Sequence, residues 1–252
     1  MPRKKRPLEA PPALPMDDDP VVRGLLKAIS LKRIKPGTKL VADQLVEAFD
    51  SNRIHIRQVF EYLGARNIIR LYPNRGAYVA QPSVDEAKQI FATRRVLEKQ
   101  AVLQLIDRLD ETMVEALQHH IGREHAHDEQ DRWSTLTLTG EFHGLIAQLS
   151  GNAVLARFVD ELVLRTSLII ATFEQHGGAD DCSPDAHPDI VGRILARDRE
   201  GAVAAMEAHL AAMENRLAFD AVHEEPQDLA TIFADLGVGA HGPRSHEEGE
   251  GG

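Results

Sequence analysis

The sequence predicts a mainly α-helical protein with one β-hairpin near residue 75. Apolar residues make up 43% of the chain but aromatic residues only 5%, so that Ala, Leu, Val and Ile carry most of the apolar content. Apolar residues recur at helical three-and-four spacing along most of the chain, whereas β-prone runs are confined to residues 68–71 and 77–80. At 252 residues, the chain is long enough for one large or two small domains.

Charge is divided unevenly along the chain. Residues 19–80 carry eleven Lys and Arg against five Asp and Glu, whereas residues 81–252 carry a net charge of −17 within a total of −10. A basic first domain ahead of an acidic second one predicts a polyanionic partner for the first domain only. No apolar run reaches the roughly 18 residues that span a bilayer, and no signal peptide is visible. The single cysteine, Cys182, excludes an internal disulfide framework. We therefore expect a cytoplasmic protein without a membrane partner.

The first 80 residues predict a disordered arm, three helices and the hairpin. Residues 1–18 combine a basic run at 3–6 with four prolines after it, which favours a disordered arm that is either solvated or in contact with phosphates. Residues 19–80 form the next unit, in which a turn at Pro36-Gly37 separates the first two helices. The three helices are predicted to begin at Asp19-Pro20, at about Val41 and at Asn52.

The third helix, from Asn52 to Leu63, has the residues expected of a DNA-reading helix. Arg53 and Arg57 are four residues apart and project from one side, where an arginine can pair with guanine or hold a phosphate. The alternative is an ordinary amphipathic helix with solvated arginines. The hairpin argues against that alternative, because three helices and a hairpin form a winged helix-turn-helix with Arg75 at the tip of the wing. The residues predicted to contact DNA are Asn52, Arg53, Ile54, His55, Arg57, Arg75 and Gly76.

Residues 37–79 resemble the DNA-binding domain of the GntR transcription regulators. His55 stands where that family usually has Pro, Gln58 where it usually has Glu, and Asn67 near the place of a usual Gly. The resemblance implies a homodimer on a palindromic double-stranded operator, in the cytoplasm of a bacterium and associated with its nucleoid. The segments that carry it are Pro36-Gly37, residues 52–57 and Asn74-Arg75-Gly76 followed by Val79.

Residues 81–222 predict an antiparallel bundle of six to seven helices. Ser83 and Glu86 have the spacing of a capping box, which opens a helix to about Asp107. Residues 223–252 read as an acidic, largely disordered tail. Further helices are predicted near 110–127, 131–149, 152–175, 185–197 and 199–222, and one short helix in the tail could contain Leu229, Ile232, Phe233 and Leu236.

Three of the twelve histidines lie beside apolar helix faces, namely His143, His187 and His209. Each alone is typical of a satisfied core histidine, but three on three helices of one bundle indicate a convergent interior site. The histidines at positions 119, 120, 125 and 127 lie on a polar stretch and are predicted to be solvated.

This second part resembles the FCD ligand-binding domain of the FadR-like branch of the GntR regulators. The resemblance rests on residues 94–98, on Phe142-His143 with residues 150–152, and on the segment from His187 to His209. It implies a divalent metal, often zinc or nickel, held by one Asp and three His, which helps to bind a small carboxylate effector. The three histidines match, but Thr139 stands in the place of the Asp, and a metal-free polar pocket is the alternative.

Arg94 matches the arginine that projects into this pocket in the family, where it would clamp a carboxylate. A surface salt bridge to Glu98, four residues on, is the alternative. The residues predicted to bind the effector are Arg94, Thr139, His143, His187 and His209, and the three histidines are also the predicted metal ligands.

These features predict a dimeric transcription regulator, a repressor that a small organic acid releases from DNA, and not an enzyme. One alternative is a metal-responsive regulator in which the divalent metal is the signal. A helical-bundle metal-dependent enzyme is another alternative, but it offers no clear acid or base in these motifs and leaves the basic winged helix unexplained.

Overall fold

The computed structural model describes residue 16 and residues 18–127, 131–174, 186–218 and 229–237. Nearly all of the predicted arm, 1–18, lies outside the described residues, as does the tail beyond residue 237. Within the described part, no helix is both long and apolar enough to cross a membrane.

The N-terminal part forms the predicted winged helix-turn-helix, with one strand more than expected. Its sheet has the order β1-β3-β2, and both pairings are antiparallel. The two-residue strand β1 is too short to show alternation, which is why the sequence did not reveal it. The elements are α1 (Pro20–Ser30), β1 (Lys39–Leu40), α2 (Ala42–Ala48), α3 (Arg53–Ala65), β2 (Ile69–Tyr72) and β3 (Gly76–Val79).

Local side-chain chemistry sets the ends of these elements. Asp19 caps α1, because its Oδ1 accepts from the backbone N–H of Val21 at 2.9 Å. Between α3 and β2, Asn67 has a φ of 58°, a left-handed conformation that asparagine tolerates better than most residues. The chain can therefore turn here without the glycine that the family usually has.

Six helices follow and confirm the predicted bundle. Ser83 caps the first of them by accepting from the backbone N–H of Glu86 at 3.1 Å. The last ends at Asn215, earlier than the predicted 222, and Leu217 beyond it forms a β-bridge with Glu174. The helices are α4 (Val84–Arg108), α5 (Glu111–Ala126), α6 (Arg132–Leu149), α7 (Ala153–Phe173), α8 (Ala186–Leu195) and α9 (Arg199–Asn215).

Two hydrophobic cores hold the chain together, and α7 contributes to both. The first lies among α1, α2, α3 and the sheet, and the second fills the bundle. Leu168 and Ala171 of α7 belong to the first core, with 3% and 7% exposure. Ile169 and Ile170 belong to the second. Because one helix joins both cores, the division of the chain at residue 80 stays a prediction.

A short helix, α10 (Leu229–Asp235), also packs on the N-terminal part. Leu229, Ile232 and Phe233 are buried in the first core, and the rings of Phe233 and Phe49 lie 4.9 Å apart at a steep angle. The short helix allowed for in the tail therefore forms, and these three side chains lie in the core that α1 and α2 also line.

Candidate functional sites

The N-terminal half of α3 presents a solvent-facing surface. Arg53 and Arg57 are exposed, and each makes an ion pair, with Asp43 at 2.8 Å and with Glu61 at 3.0 Å. Ile54 between them is 74% exposed although it is apolar. Exposed ion pairs are weak, so both guanidinium groups can exchange these partners for phosphates or base edges.

His55 and Asn52 have internal partners instead. Asn52 caps α3 by accepting from the backbone N–H of His55 at 2.9 Å. The ring of His55 lies 2.7 Å from Ser51 Oγ through Nδ1 and 2.7 Å from Asp19 Oδ2 through Nε2. These contacts connect α3 to the start of α1. His55 would have to break them in order to contact DNA.

The wing tip places Arg75 over the ring of Tyr72, with its guanidinium carbon 5.5 Å from the ring centroid. Asn74 and Gly76 on either side have φ values of 62° and 98°. Both values lie in the left-handed region, which favours Gly and tolerates Asn. This turn therefore presents Arg75 at the end of the hairpin.

Inside the bundle, the structure brings His143, His187 and His209 together. Nε2 of His209 lies 3.2 Å from Nε2 of His187 and 3.2 Å from Nε2 of His143. All three rings are buried, and one ligand atom from each lies within 4.8 Å of the others. Nitrogens that bind one zinc ion at about 2.0–2.1 Å in a tetrahedron are about 3.4 Å apart, so this spacing is close to that of a metal-binding set.

Two carboxylates contact two of these rings through Nδ1, the nitrogen that faces away from the other histidines. Glu98 Oε2 lies 2.6 Å from Nδ1 of His143, and Glu124 Oε1 lies 2.7 Å from Nδ1 of His187. Metal-binding histidines are commonly oriented in this way through their second nitrogen. Both imidazoles therefore turn Nε2 toward the common centre.

The charges of this cluster are set by burial and by these contacts. Burial alone would raise the pKa of Glu98, but the charges and hydrogen bonds of Arg94 and His143 outweigh it and lower that pKa to about 2. Burial would likewise raise the pKa of Glu124, yet hydrogen bonds from His120 and His187 lower it to about 2. Burial, aided by Arg94 and opposed by Glu98, lowers the pKa of His143 to about 4. At neutral pH the cluster thus combines ionised carboxylates with a neutral His143.

Arg94 lies beside the histidines and is 1% exposed. Its Nε donates to Glu98 at 2.7 Å, and its Nη1 donates to Thr166 at 3.2 Å. Within the described part of the chain, no partner reaches Nη2, although this atom is buried. The ion pair to Glu98 therefore forms, but it lies in the interior and not on the surface, where the alternative interpretation placed it.

A small pocket opens in front of Arg94 and His143. Thr139, the residue in the place of the family's Asp, lines it together with Thr166 and Ser167. His143 lines this pocket, but His187 and His209 do not. The lining residues are Arg94, Leu136, Thr139, Gly140, His143, Val163, Thr166, Ser167, Ile170, Glu174, Met213 and Arg216.

Three members of this site do not follow from the sequence. Glu98 is predicted only as a surface partner of Arg94, Glu124 has no predicted role, and His120 is predicted to be solvated. The structure corrects the last point, since His120 is 4% exposed and lies 3.2 Å from Glu124. Its four-residue spacing to Glu124 was a visible signal, but only folding places both beside His187.

Comparisons with known proteins agree with this architecture. Residues 89–212 match the family model of the FCD domain. Over 178 residues the chain is 22% identical to the HTH-type transcriptional repressor RspR of Escherichia coli K12, a match that covers 70% of this chain and 78% of the relative. The uncharacterized HTH-type transcriptional regulator YdfH of Shigella flexneri matches to the same extent.

Solved structures share the fold. McbR/YncC of E. coli superposes with a TM-score of 0.66 at 17% identity and covers 76% of this chain and 92% of its own. A putative GntR transcriptional regulator from Rhodococcus sp. RHA1 superposes with a TM-score of 0.62 at 21% identity, covering 77% of this chain and 94% of its own.

Proposed function

This chain contains an FCD domain and is similar to HTH-type transcription regulators, and we propose that it is a GntR-type repressor released from its operator by a small carboxylate. The observation that carries this proposal is the buried Arg94, which lines a pocket together with His143 and whose Nη2 has no hydrogen-bond partner among the described residues. A buried guanidinium nitrogen without a partner is costly, and a ligand carboxylate would remove that cost.

DNA recognition is assigned to α3 and the wing. Arg53, Ile54 and Arg57 would enter the major groove, and Arg75 with Gly76 would contact the backbone or the minor groove. The exposure of Ile54 supports this assignment, because a thymine methyl group would cover an apolar side chain that is otherwise left in water.

The effector site is assigned to this pocket, where one oxygen of the effector's carboxylate would accept a hydrogen bond from Arg94. The hydroxyl groups of Thr139, Thr166 and Ser167 line the same pocket and suit a ligand that carries hydroxyl or further carboxylate oxygens. Leu136, Val163 and Ile170 form an apolar part of the lining that suits a short carbon chain. These contacts favour a small organic acid over a long or purely apolar ligand.

The donor set also fits a divalent metal. Three imidazoles with two supporting carboxylates suit zinc or nickel, and His143, His187 and His209 would hold the ion. A bound ion would act as a Lewis acid that attracts the effector's carboxylate. The neutral hydroxyl of Thr139 in place of an anionic ligand would leave a coordination position for that carboxylate.

A metal-responsive regulator is the second candidate. The convergence of three buried histidines supports it, since such a set would bind the ion without any organic ligand. The two candidates differ in whether metal alone, or metal with an acid, releases DNA.

The link between pocket and DNA-binding part is assigned to α7. Thr166, Ile170 and the adjoining Glu174 line the pocket, whereas Leu168 and Ala171 lie in the first core. Lys32, just after α1, donates from Nζ to the backbone oxygen of Glu174 at 2.5 Å. Occupation of the pocket would therefore act on a helix that also positions the DNA-binding part, and would shift the populations of two arrangements.

A two-fold dimer is expected for two DNA-binding heads on a palindromic operator. The helices α4 and α7 pack against each other, and large apolar side chains on both remain exposed. This exposure supports a dimer interface on these two helices. The side chains are Val96 with 69%, Val154 with 62% and Phe158 with 47% exposure.

Fluorescence anisotropy on an operator selected from random DNA tests this function. Metal-stripped protein bound to that operator is mixed with a panel of small carboxylates, with zinc or nickel, and with both. We expect release by a subset of acids, and stronger release when metal is present. Release by metal alone identifies the metal-responsive regulator, and the absence of any sequence-selective binding contradicts the DNA-binding assignment.

The Thr139→Asp variant tests the metal and the effector together. An anionic oxygen beside the cation should tighten metal binding relative to the parent protein. The same substitution should weaken release by the acid, because Asp occupies the position that the acid needs. Metal analysis of both purified proteins decides the first part, and the anisotropy titration decides the second. If neither protein takes up zinc or nickel, the pocket is purely organic.

A further inference from the structure

We propose that Glu98 and Glu124 are positioning residues that hold His143 and His187 in the Nδ1–H tautomer, and that His209 alone changes tautomer when a divalent cation enters the cluster. The second half of this proposal rests on the metal site assigned above. The first half concerns the protein without metal and stands on the hydrogen-bond geometry.

Glu98 determines the tautomer of His143. An ionised carboxylate only accepts hydrogen bonds, so Nδ1 of His143, 2.6 Å from Oε2, must be the donor. The reverse tautomer would place a lone pair against the carboxylate in a site where both side chains are 1% exposed. Water cannot relieve that repulsion, so the Nε2 lone pair of His143 faces the centre of the cluster.

Glu124 acts in the same way on His187. Its Oε1 lies 2.7 Å from Nδ1 of His187 and 3.2 Å from Nε2 of His120, so one oxygen serves two donors. Phe142 stacks on the ring of His187 at a centroid distance of 3.9 Å and a tilt of 16°. The stacking fixes the plane of the ring while the carboxylate fixes its proton. His187 therefore also turns an Nε2 lone pair inward.

His209 completes the set as the donor. Its Nε2 lies 3.2 Å from both inward lone pairs, and a lone pair at this point would face two others. In the metal-free protein, Nε2 of His209 must therefore carry a hydrogen and donate it to His143, to His187 or to both.

Metal binding requires a lone pair from every ligand nitrogen. His143 and His187 already offer one, because their hydrogens are held on the far side of the ring. His209 must lose the hydrogen from Nε2, and a neutral ring then carries it on Nδ1. The two glutamates thus restrict the rearrangement to a single histidine, which reduces the reorganisation that metal binding requires.

Two-dimensional ¹H–¹⁵N spectra of the histidine rings in the full chain test both halves, since the two tautomers have different ¹⁵N shifts. In metal-free protein we expect Nδ1–H for His143 and His187 and Nε2–H for His209. On titration with zinc chloride, only His209 should move to Nδ1–H. An Nε2–H tautomer of His143 or His187 before zinc is added overturns the positioning role.

Glutamine variants separate positioning from general stability. Glu98→Gln supplies an amide that can donate as well as accept, so we expect a fraction of His143 to move to Nε2–H and zinc affinity to fall about 10–100-fold. Glu124→Gln should do the same to His187. Glu124 is 15% exposed, so this variant is available should Glu98→Gln not fold.

Glu207→Gln, on the half-exposed pair with Lys99, is the control and should change neither the tautomers nor the zinc affinity. Unchanged tautomers and zinc affinity in both Glu98→Gln and Glu124→Gln overturn the proposal. If zinc leaves every ring signal of the parent unchanged, the His209 switch and the metal part of the proposed function both fail. The metal-free spectrum still decides the role of the two glutamates.

Discussion

Replacement of Arg94 by methionine should destabilise the protein far more than the same change at its neighbour. Arg94 and Glu98 are each 1% exposed and lie 2.7 Å apart. Removal of one partner from a buried ion pair costs about 3–5 kcal/mol, because the other charge stays buried without compensation. Glu98 keeps His143 as a partner, so we expect the lower end, about 3 kcal/mol. For a chain of this size, that lowers Tm by about 6–12 °C.

The matched control is Arg95→Met, one residue along the same helix. Arg95 pairs with Glu214 at 2.8 Å, but the two side chains are 31% and 20% exposed. Partly solvated pairs contribute about 0–1 kcal/mol, so this variant should melt within about 3 °C of the parent. Both substitutions remove one positive charge and leave the same apolar side chain, so they differ mainly in burial.

Thermal melting followed by circular dichroism measures the difference. The double variant Arg94→Met/Glu98→Gln should regain part of the lost stability, because no uncompensated charge then remains buried. Below the melting temperature, Arg94→Met should still bind the operator but should no longer respond to a carboxylate. If Arg94→Met melts within about 2 °C of Arg95→Met, the buried pair does not have the cost assigned to it.

Three further predictions concern DNA binding, dimer assembly, and the link between the effector pocket and the DNA-binding part. Arg57→Ala should weaken selective operator binding by about 1–3 kcal/mol, whereas Arg75→Ala should weaken binding to all sequences evenly. Gel shifts measure both effects, and two variants that bind like the parent would contradict the assigned DNA-binding surface. We expect the parent protein to be a dimer and Phe158→Glu to be a monomer in light scattering, because a charge replaces an exposed apolar side chain of the proposed interface; a variant that is as dimeric as the parent places the interface elsewhere. Lys32→Glu should speed hydrogen exchange in α1, because it removes the donor to the backbone oxygen of Glu174, whereas Lys32→Arg keeps a donor and should keep most of the protection; equal exchange in all three proteins argues against the link.

The sequence by itself determined the order and type of most elements, because their signals are local. Asp19, Asn52 and Ser83 cap the helices that were predicted to start beside them, and a cap needs only backbone groups two or three residues away. The wing was visible for the same reason, since its turn consists of four consecutive residues. Arg94, His143, His187 and His209 could be selected as candidates because each stands on or beside an apolar helix face or in a recognisable motif.

Only the tertiary structure decided which side chains complete the site. Glu98 and His143 are 45 residues apart in the chain, and Glu124 and His187 are 63 apart. The sequence predicts that His120 is solvated, because its neighbours in sequence are polar. The packing of α5 against α6 and α8 nevertheless buries it. The burial of a polar residue depends on which helices cover it, and the pattern along one helix does not contain that information. The same reason applies to α7, whose place in two cores follows from the docking of the N-terminal part against the bundle.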